Sequence, residues 1–267
     1  MTRYQATETK NINQSRNLLS STIKWADIVL ERLCPFLPSL GCLKILEIGS
    51  AQGRVLIGLS KSGHKSYGVE PYLPAIQVAK QLAIEENVEI FILPGKAEGI
   101  PFQSNYFDLV LAFAVMEHVE DLNRSLTEIA RVLKPGGLFW FSSASSMCPI
   151  QGEISGFPLF GWYPDHLKKK IMIWAKIKRP ELIGYTKQPA MHWWTPYIAR
   201  RKLKAAGFEK VWDRWDLLVP SKNHGFVGIM VLLAKRFYKL RIIGDMISPG
   251  CSYAARKRII KTLEKSS

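Results

Sequence analysis

The chain has few cysteines, no long apolar run and no glycine triplet of the dinucleotide-binding kind. Cys34, Cys42, Cys148 and Cys251 are its four cysteines in 267 residues, and no two form a CxxC pair. That scatter argues against a disulfide framework and against a zinc knuckle. It fits a reducing, cytoplasmic compartment, and no metal site is expected. No run of about eighteen apolar residues occurs, so no membrane-crossing helix is expected. The nearest approach, Gly225 to Ala234, runs straight into Lys235 and Arg236. The opening segment, MTRYQATETKNINQSRN, lacks the apolar centre of a secretory signal. Internal repeats and low-complexity tracts are also missing.

What is present suits a folded α/β chain. Hydrophobic residues make up 47% and charged residues 22%, so a sizeable core can form and wholesale disorder is excluded. The formal net charge is +15. Much of the excess follows Lys168, in Lys168 to Lys170, Lys176 to Arg179, Arg200 to Lys204 and Lys235 to Arg241. Such charge favours an anionic partner, whether an acidic substrate, a membrane surface or a nucleic acid. Its position assigns it to substrate or surface contact and not to cofactor binding.

Apolar spacing predicts a helix over 15–34, ended by Pro35 and Pro38. A short strand, Leu43 to Ile48, stops at Gly49. Helices over 54–61, 74–85 and 121–133 then alternate with strands over 65–69, 88–93, 107–113 and 138–142. This rhythm implies a parallel sheet with right-handed crossovers. The alternation fails from Ser145 to Thr195, a stretch rich in Phe157, Phe160, Trp162, Tyr163, Trp174, Tyr185, Trp193 and Trp194. An irregular segment of that length is often a cover over a site. Thr195 and Pro196 open a helix as cap and first residue, and Gly207 stops it. Phe208 to Leu218 is expected as a strand, Phe226 to Ile243 as one basic amphipathic helix, and Ser252 to Lys257 as a last edge strand. The fold class is therefore α/β: a Rossmann-like, doubly wound sheet, mostly parallel, with an antiparallel edge strand and an aromatic lid insertion. One domain is expected over 1–267, with an N-terminal helical segment (1–40), a cofactor core (41–144), a lid (145–195) and a C-terminal part (196–267).

Glu47-Ile48-Gly49-Ser50-Ala51-Gln52-Gly53 follows the first strand. Its small residues let a ligand touch the backbone at a helix N-terminus. Glu70, ending the next strand before Pro71, can accept hydrogen bonds from both hydroxyls of a ribose. Two ligand classes fit this pair, a dinucleotide and S-adenosylmethionine. Glu47 separates them, because a carboxylate beside the loop repels a pyrophosphate and suits the ammonium of a methionine moiety. Ala51, in place of the middle glycine of GxGxxG, points the same way.

These residues resemble the class I S-adenosylmethionine-dependent methyltransferases, in particular the small-molecule branch that includes the ubiquinone and menaquinone methyltransferases. The resemblance spans roughly residues 43–142, with a weaker echo over 192–208. Glu47 to Gly53 is similar to the cofactor loop, with Ser50 and Ala51 departing from its usual Cys-Gly, and Glu70 matches the ribose-binding acid. Gly95 to Phe102 resembles the adenine-gripping segment. Lys96 stands where that family commonly has an acid, so the adenine contact falls to Glu98 or to backbone near Ala97. Phe113 to Asp121 resembles the segment after the fourth strand that lines the methyl-transfer cleft, which implies a cofactor contact for Phe113, and Leu133 to Gly137 resembles the turn into the fifth.

The resemblance implies in-line displacement at the sulfonium methyl, with S-adenosylhomocysteine leaving. The protein then positions and desolvates the acceptor and, for an oxygen, removes its proton. His118, with Glu117 beside it, is the first candidate base, because a histidine titrates near neutrality. A packing role beneath the cofactor is the alternative. His192 is the second candidate base; His64, His166 and His224 lack comparable surroundings. Trp162, Tyr163, Trp193 and Trp194 are expected to line an acceptor pocket, or else to form a small core under the lid. Residues 226–243 either dock on an anionic bilayer or pack on the protein. The expected function is methyl transfer to a small organic acceptor, at oxygen, on a glycan, lipid or quinone-like molecule. An RNA-directed enzyme is the first rival, disfavoured because neither an Asn-Pro-Pro-Tyr motif nor a catalytic cysteine follows the fourth strand. A non-catalytic S-adenosylmethionine-binding module is the second.

Overall fold

A computed structural model describes residues 3–37, 41–183, 188–218 and 226–259. The chain opens with a helix, α1 (Arg3–Leu33), and then alternates: β1 (Lys44–Ile48), α2 (Arg54–Lys61), β2 (Lys65–Glu70), α3 (Leu73–Glu85), β3 (Phe91–Pro94), β4 (Phe107–Phe113), α4 (Leu122–Val132) and β5 (Leu133–Ala144). The rest carries α5 (Asp165–Lys178), α6 (Pro196–Ala205), β6 (Phe208–Asp213), α7 (Arg214–Leu217), α8 (Phe226–Arg236), α9 (Tyr238–Met246) and β7 (Gly250–Lys257).

One seven-stranded sheet has the order β3-β2-β1-β4-β5-β7-β6. Strands β1 to β5 pair in parallel. β7 runs antiparallel between β5 and β6. The sheet is thus Rossmann-like and doubly wound, with its antiparallel pairing at the β6 end. Ser252 to Lys257, expected outermost, lies one place in, and β6 forms the edge. The strand order reverses between β1 and β4, and this is where such sheets leave a crevice beyond their carboxyl ends.

Both sheet faces are covered, so β4 is apolar along nearly its whole length. On one face Phe139 and Phe141 pack with Leu126 and Ile129 of α4 and Leu203 of α6. On the other, Ile45, Leu109, Leu111 and Leu138 meet Val29 and Leu33 of α1 and Leu56 of α2. Asp121 caps α4 by accepting the Arg124 N–H at 3.0 Å. Thr195 caps α6 through the Ile198 N–H at 3.2 Å, with Pro196 first in the helix as the sequence predicts.

Besides β7 and the shifted bounds of β3 and β5, four elements depart from the sequence reading. α1 begins at Arg3, well before the apolar stripe. The lid contains a helix, α5, whose buried face is only Lys168, Met172 and Ala175; so small a face, with a lysine in it, hides the helical period. The strand expected to reach Leu218 stops at Asp213, which caps α7 in a box with Asp216. The helix expected over 226–243 breaks at Phe237, where the backbone turns extended (φ −119°, ψ 107°), and gives α8 and α9. Tyr185 and His224 lie outside the described residues.

Candidate active site

The crevice at the strand reversal is built from three loops drawn close together. After β1 the chain turns through Gly49 at φ 69° and Ala51 at φ 46°. A side chain at Gly49 would bring its Cβ to 2.5 Å from Val115 Cγ2, so only glycine lets this loop sit against the segment after β4. Ala51 adopts the left-handed conformation that suits glycine, so the change of residue has not changed the shape of the loop. The Ala51 N–H donates to Glu70 Oε2 at 2.9 Å and the Tyr72 N–H to Glu70 Oε1 at 2.9 Å. The acid ending β2 therefore clamps both loops with charge-assisted bonds, and each of its oxygens keeps acceptor capacity. Pro71 is exposed beside it.

Glu47 lies on β1 and is buried, and its Oε2 has no hydrogen-bond partner. Burial holds its carboxyl well above the usual range, against the pull of the Arg54 guanidinium. Ser50 Oγ is likewise buried without a partner. An orphaned carboxylate and hydroxyl beside a loop of small residues call for a donor-rich, cationic group, since a buried unpaired acceptor is costly. An amino-acid ammonium next to a ribose held by Glu70 meets that demand, so these residues fit S-adenosylmethionine; a pyrophosphate does not.

The segment expected to grip adenine is stapled in place by its own charged residues. Glu98 Oε1 accepts the N–H groups of Glu120 and Asp121 at 2.7 and 3.3 Å. Lys96 Nζ meets Glu120 Oε1 at 2.8 Å. Glu98 thus fastens this segment to the loop after β4, and Ala97 is buried in the main core. Phe113 is half-buried under α1, its ring 4.3 Å from that of Trp25 and 4.9 Å from that of Trp140. Trp25 lies on α1 beside the buried stripe position Ala26, one residue off the apolar spacing, so nothing in its spacing marked it as a cover for the end of β4.

Glu117, His118 and His192 come together. The Glu117 carbonyl accepts the Met191 and His192 N–H groups at 2.7 and 3.2 Å. Its carboxylate accepts the Ser143 hydroxyl at 2.6 Å, and burial still lifts its pKa. Burial lowers the pKa of His118, whose Nδ1 is buried without a partner. His192 is lowered by burial and by Lys169, and its Nε2 lies 3.0 Å from the Val119 carbonyl oxygen. That nitrogen must carry the proton of the neutral ring, because a carbonyl only accepts. Glu153, absent from the sequence reading, also faces this group. Its pKa is raised by burial and by Glu117, and its Oε2 is buried without a partner. His64 has a structural place, accepting the Leu43 N–H at 3.3 Å through Nδ1.

The four aromatic candidates separate. Trp194 is fully buried in the main core, 4.7 Å from Phe141 and 6.4 Å from Tyr253 between ring centroids. This corrects its expected place in an acceptor pocket: near the end of the lid stretch its backbone N–H donates to the Ala144 carbonyl of β5 at 3.0 Å, which sets its ring into the main core. Trp193 belongs to a separate lid core with Ile154, Phe160, Met172 and Ala190, and Tyr163 packs on Phe160. The Lys168 ammonium is 4.5 Å from the Trp193 ring centre. Trp162 is half exposed and donates from Nε1 to the Met147 carbonyl at 3.0 Å. None of the four lines the cavity of about 500 Å³ that opens between α5 and the loop after β4; His118, His192, Lys169 and Lys176 do.

Comparison with known proteins agrees with this geometry. Residues 46–141 match the family model described as "Methyltransferase domain". A ubiquinone biosynthesis O-methyltransferase of Chelativorans sp. is 33% identical over 141 residues, 52% of this chain and 54% of that protein. A tRNA U34 carboxymethyltransferase of Syntrophotalea carbinolica is 30% identical over 122 residues, 44% of this chain and 35% of that one. The chain spans about half the length of the first of these relatives and less of the second. An S-adenosylmethionine-dependent methyltransferase from Mesorhizobium loti shares the fold at a TM-score of 0.58 and 17% identity, covering 90% of this chain and all of that one. The domain match over residues 46–141 falls on the Rossmann-like sheet, so this part of the chain is similar to a methyltransferase domain.

Proposed function

We propose that the protein binds S-adenosylmethionine and transfers its methyl group to an oxygen of a small organic acceptor, on a glycan, lipid or quinone-like molecule. The carrying observation is the buried Glu47 carboxyl with its unpartnered oxygen, set beside a left-handed loop and the Glu70 clamp. The O-methyltransferase relatives support a quinone-like acceptor. When bound, the cofactor supplies an electrophilic sulfonium methyl. Glu47 holds the ammonium, Glu70 accepts from the ribose hydroxyls, and backbone at Ser50 to Gly53 lies close to the methionine part. Backbone over 95–99 borders the adenine. His118 accepts the proton of the acceptor hydroxyl at its unpartnered Nδ1, and Glu117 positions the loop that carries it. His192, with one nitrogen held by a carbonyl, orients the acceptor. The decisive test is calorimetry with S-adenosylhomocysteine and with NAD. Micromolar binding of the first alone is expected; binding of NAD in its place overturns the reading.

Peripheral contact with an anionic bilayer is supported by α8 and α9. Ile229, Leu232, Phe237, Tyr238, Ile243 and Ile247 are all more than half exposed, and Lys235, Arg236 and Lys239 lie among them. No helix among the described residues is long and apolar enough to cross a membrane. The pair is fixed from within by Arg214 to Asp245 at 2.8 Å and Arg241 to Asp216 at 3.0 Å, which turns its apolar side outward. A second copy meeting this face across a two-fold axis would bring like charges together. Co-sedimentation with phosphatidylserine vesicles is expected, with loss in Leu232→Glu/Phe237→Glu. Retention by that variant overturns the contact.

A further inference from the structure

The cavity beneath α5 has a chemistry of its own. Lys169, Ile173, Lys176 and Ile177 follow one another at spacings of four, three and one, so α5 presents a single stripe to it. The opposite wall is His118, Val119, Pro189, Met191 and His192. Two ammonium groups therefore face a largely apolar trough. The one carboxylate on its rim, Glu120, is paired with Lys96 at 2.8 Å and feels Lys176 only more weakly, so the two ammonium groups are compensated only in part. Both imidazoles are pushed below the ordinary histidine range by burial and are neutral near pH 7. Among the described residues neither Lys169 nor Lys176 forms an ion pair, whereas their neighbour Lys168 is committed to Asp165 at 2.8 Å. About 500 Å³ is the size range of small-molecule sites.

We propose that this cavity binds an amphiphilic anion, an apolar body of one or two rings or a short chain bearing a carboxylate, sulfate or phosphate, with Lys169 and Lys176 holding the anionic group. Because His118 and His192 line the same space, the ligand is the methyl acceptor, which rests on the reading given above. The anionic group anchors on α5, the apolar body lies along Ile173 and Met191, and a hydroxyl on that body reaches His118. The basic charge after Lys168 then has a use at the site itself.

The test uses the full chain and two dyes, 8-anilinonaphthalene-1-sulfonate and the uncharged N-phenyl-1-naphthylamine. Lys169→Gln/Lys176→Gln is expected to weaken the sulfonate about tenfold and to leave the neutral dye within about twofold. Laurate should displace the sulfonate dye, and inorganic phosphate at equal concentration should not. Equal loss of both dyes, unchanged sulfonate affinity, or displacement by phosphate overturns the proposal. S-adenosylhomocysteine affinity is expected unchanged in the variant, which shows that it is folded; should it fall, Lys176→Gln alone is measured, where a threefold loss of sulfonate affinity is required. If the lysine dependence holds while His118→Ala turns over normally, the anion site stands and its identity as the acceptor site fails.

Discussion

Glu70 Oε2 accepts the Ala51 N–H at 2.9 Å, and this bond joins the acid that ends β2 to the loop that follows β1. The same carboxylate that is proposed to hold the ribose therefore also sets the shape of the loop proposed to hold the methionine part. Glu70→Ala is expected to lower S-adenosylhomocysteine affinity at least a hundredfold by calorimetry and to cost roughly 1.5–3 kcal/mol of stability, the range for a charged hydrogen-bonding group. Glu70→Gln, which keeps one acceptor, should fall between. Unchanged affinity in the alanine variant removes the ribose role.

Glu47 makes cofactor binding depend on pH. Burial raises its folded-state pKa. Above the unfolded carboxyl range of about 4.3, the unfolded chain has lost a proton that the folded apoprotein keeps, so its contribution to stability falls as pH rises until the folded pKa is passed. A cationic ammonium favours the carboxylate and expels that proton. Calorimetry in buffers of different ionisation heat should therefore show proton release on binding, with affinity rising with pH through the raised pKa. Glu47→Gln should stabilise the apoprotein at neutral pH and weaken the cofactor. Absence of released protons would count against the ammonium contact.

His118 predicts an acid limb in the rate. Its pKa lies below the ordinary value of about 6.5, so the neutral base persists at pH 7 and is lost only as pH drops through that lowered value. His118→Gln should reduce kcat by about 10²–10⁴-fold and leave S-adenosylhomocysteine affinity within about threefold. A parallel loss of both identifies a packing role.

Ala51, at φ 46°, carries strain that glycine does not. Ala51→Gly should raise thermal stability by about 1 kcal/mol with cofactor affinity retained. Destabilisation in calorimetric melts would mean that the methyl group packs to advantage.

Trp194 tests the correction made by the structure. As a core residue its truncation to alanine should cost roughly 3–5 kcal/mol in denaturant unfolding, and Trp194→Phe should recover much of it. A stable Trp194→Ala with impaired turnover would return the ring to the acceptor site.

The sheet, the cradle and the two acids are legible in the sequence because each has a local cause. Strands buried on both faces are continuous apolar runs, and a loop that must approach its neighbours is written in small residues. The capping pair Thr195 and Pro196 is legible for the same reason. The lid is not, because its structure depends on distant contacts. Lys168 is buried against Trp193, which no local rule for a lysine in a basic run anticipates. Trp193 and Trp194 are adjacent yet enter different cores, since the chain passes there from lid to sheet. Glu153 gives no signal, a lone acid among Gly, Ser and Ile whose meaning comes from Glu117 and His118 across the fold. The break at Phe237 is hidden by apolar residues that continue on both sides.

The lid has a core separate from those of the sheet, centred on Phe160, Met172 and Trp193, and it is tied down where Trp194 meets Ala144 and where Met191 and His192 meet the Glu117 carbonyl. Evolution can consequently redraw the interior of that cap, and with it the proposed acceptor cavity, without disturbing the crevice proposed to hold the methyl donor. Related enzymes built this way would diverge fastest between residues 145 and 192, and grafting that stretch between them is a practical route to altered selectivity.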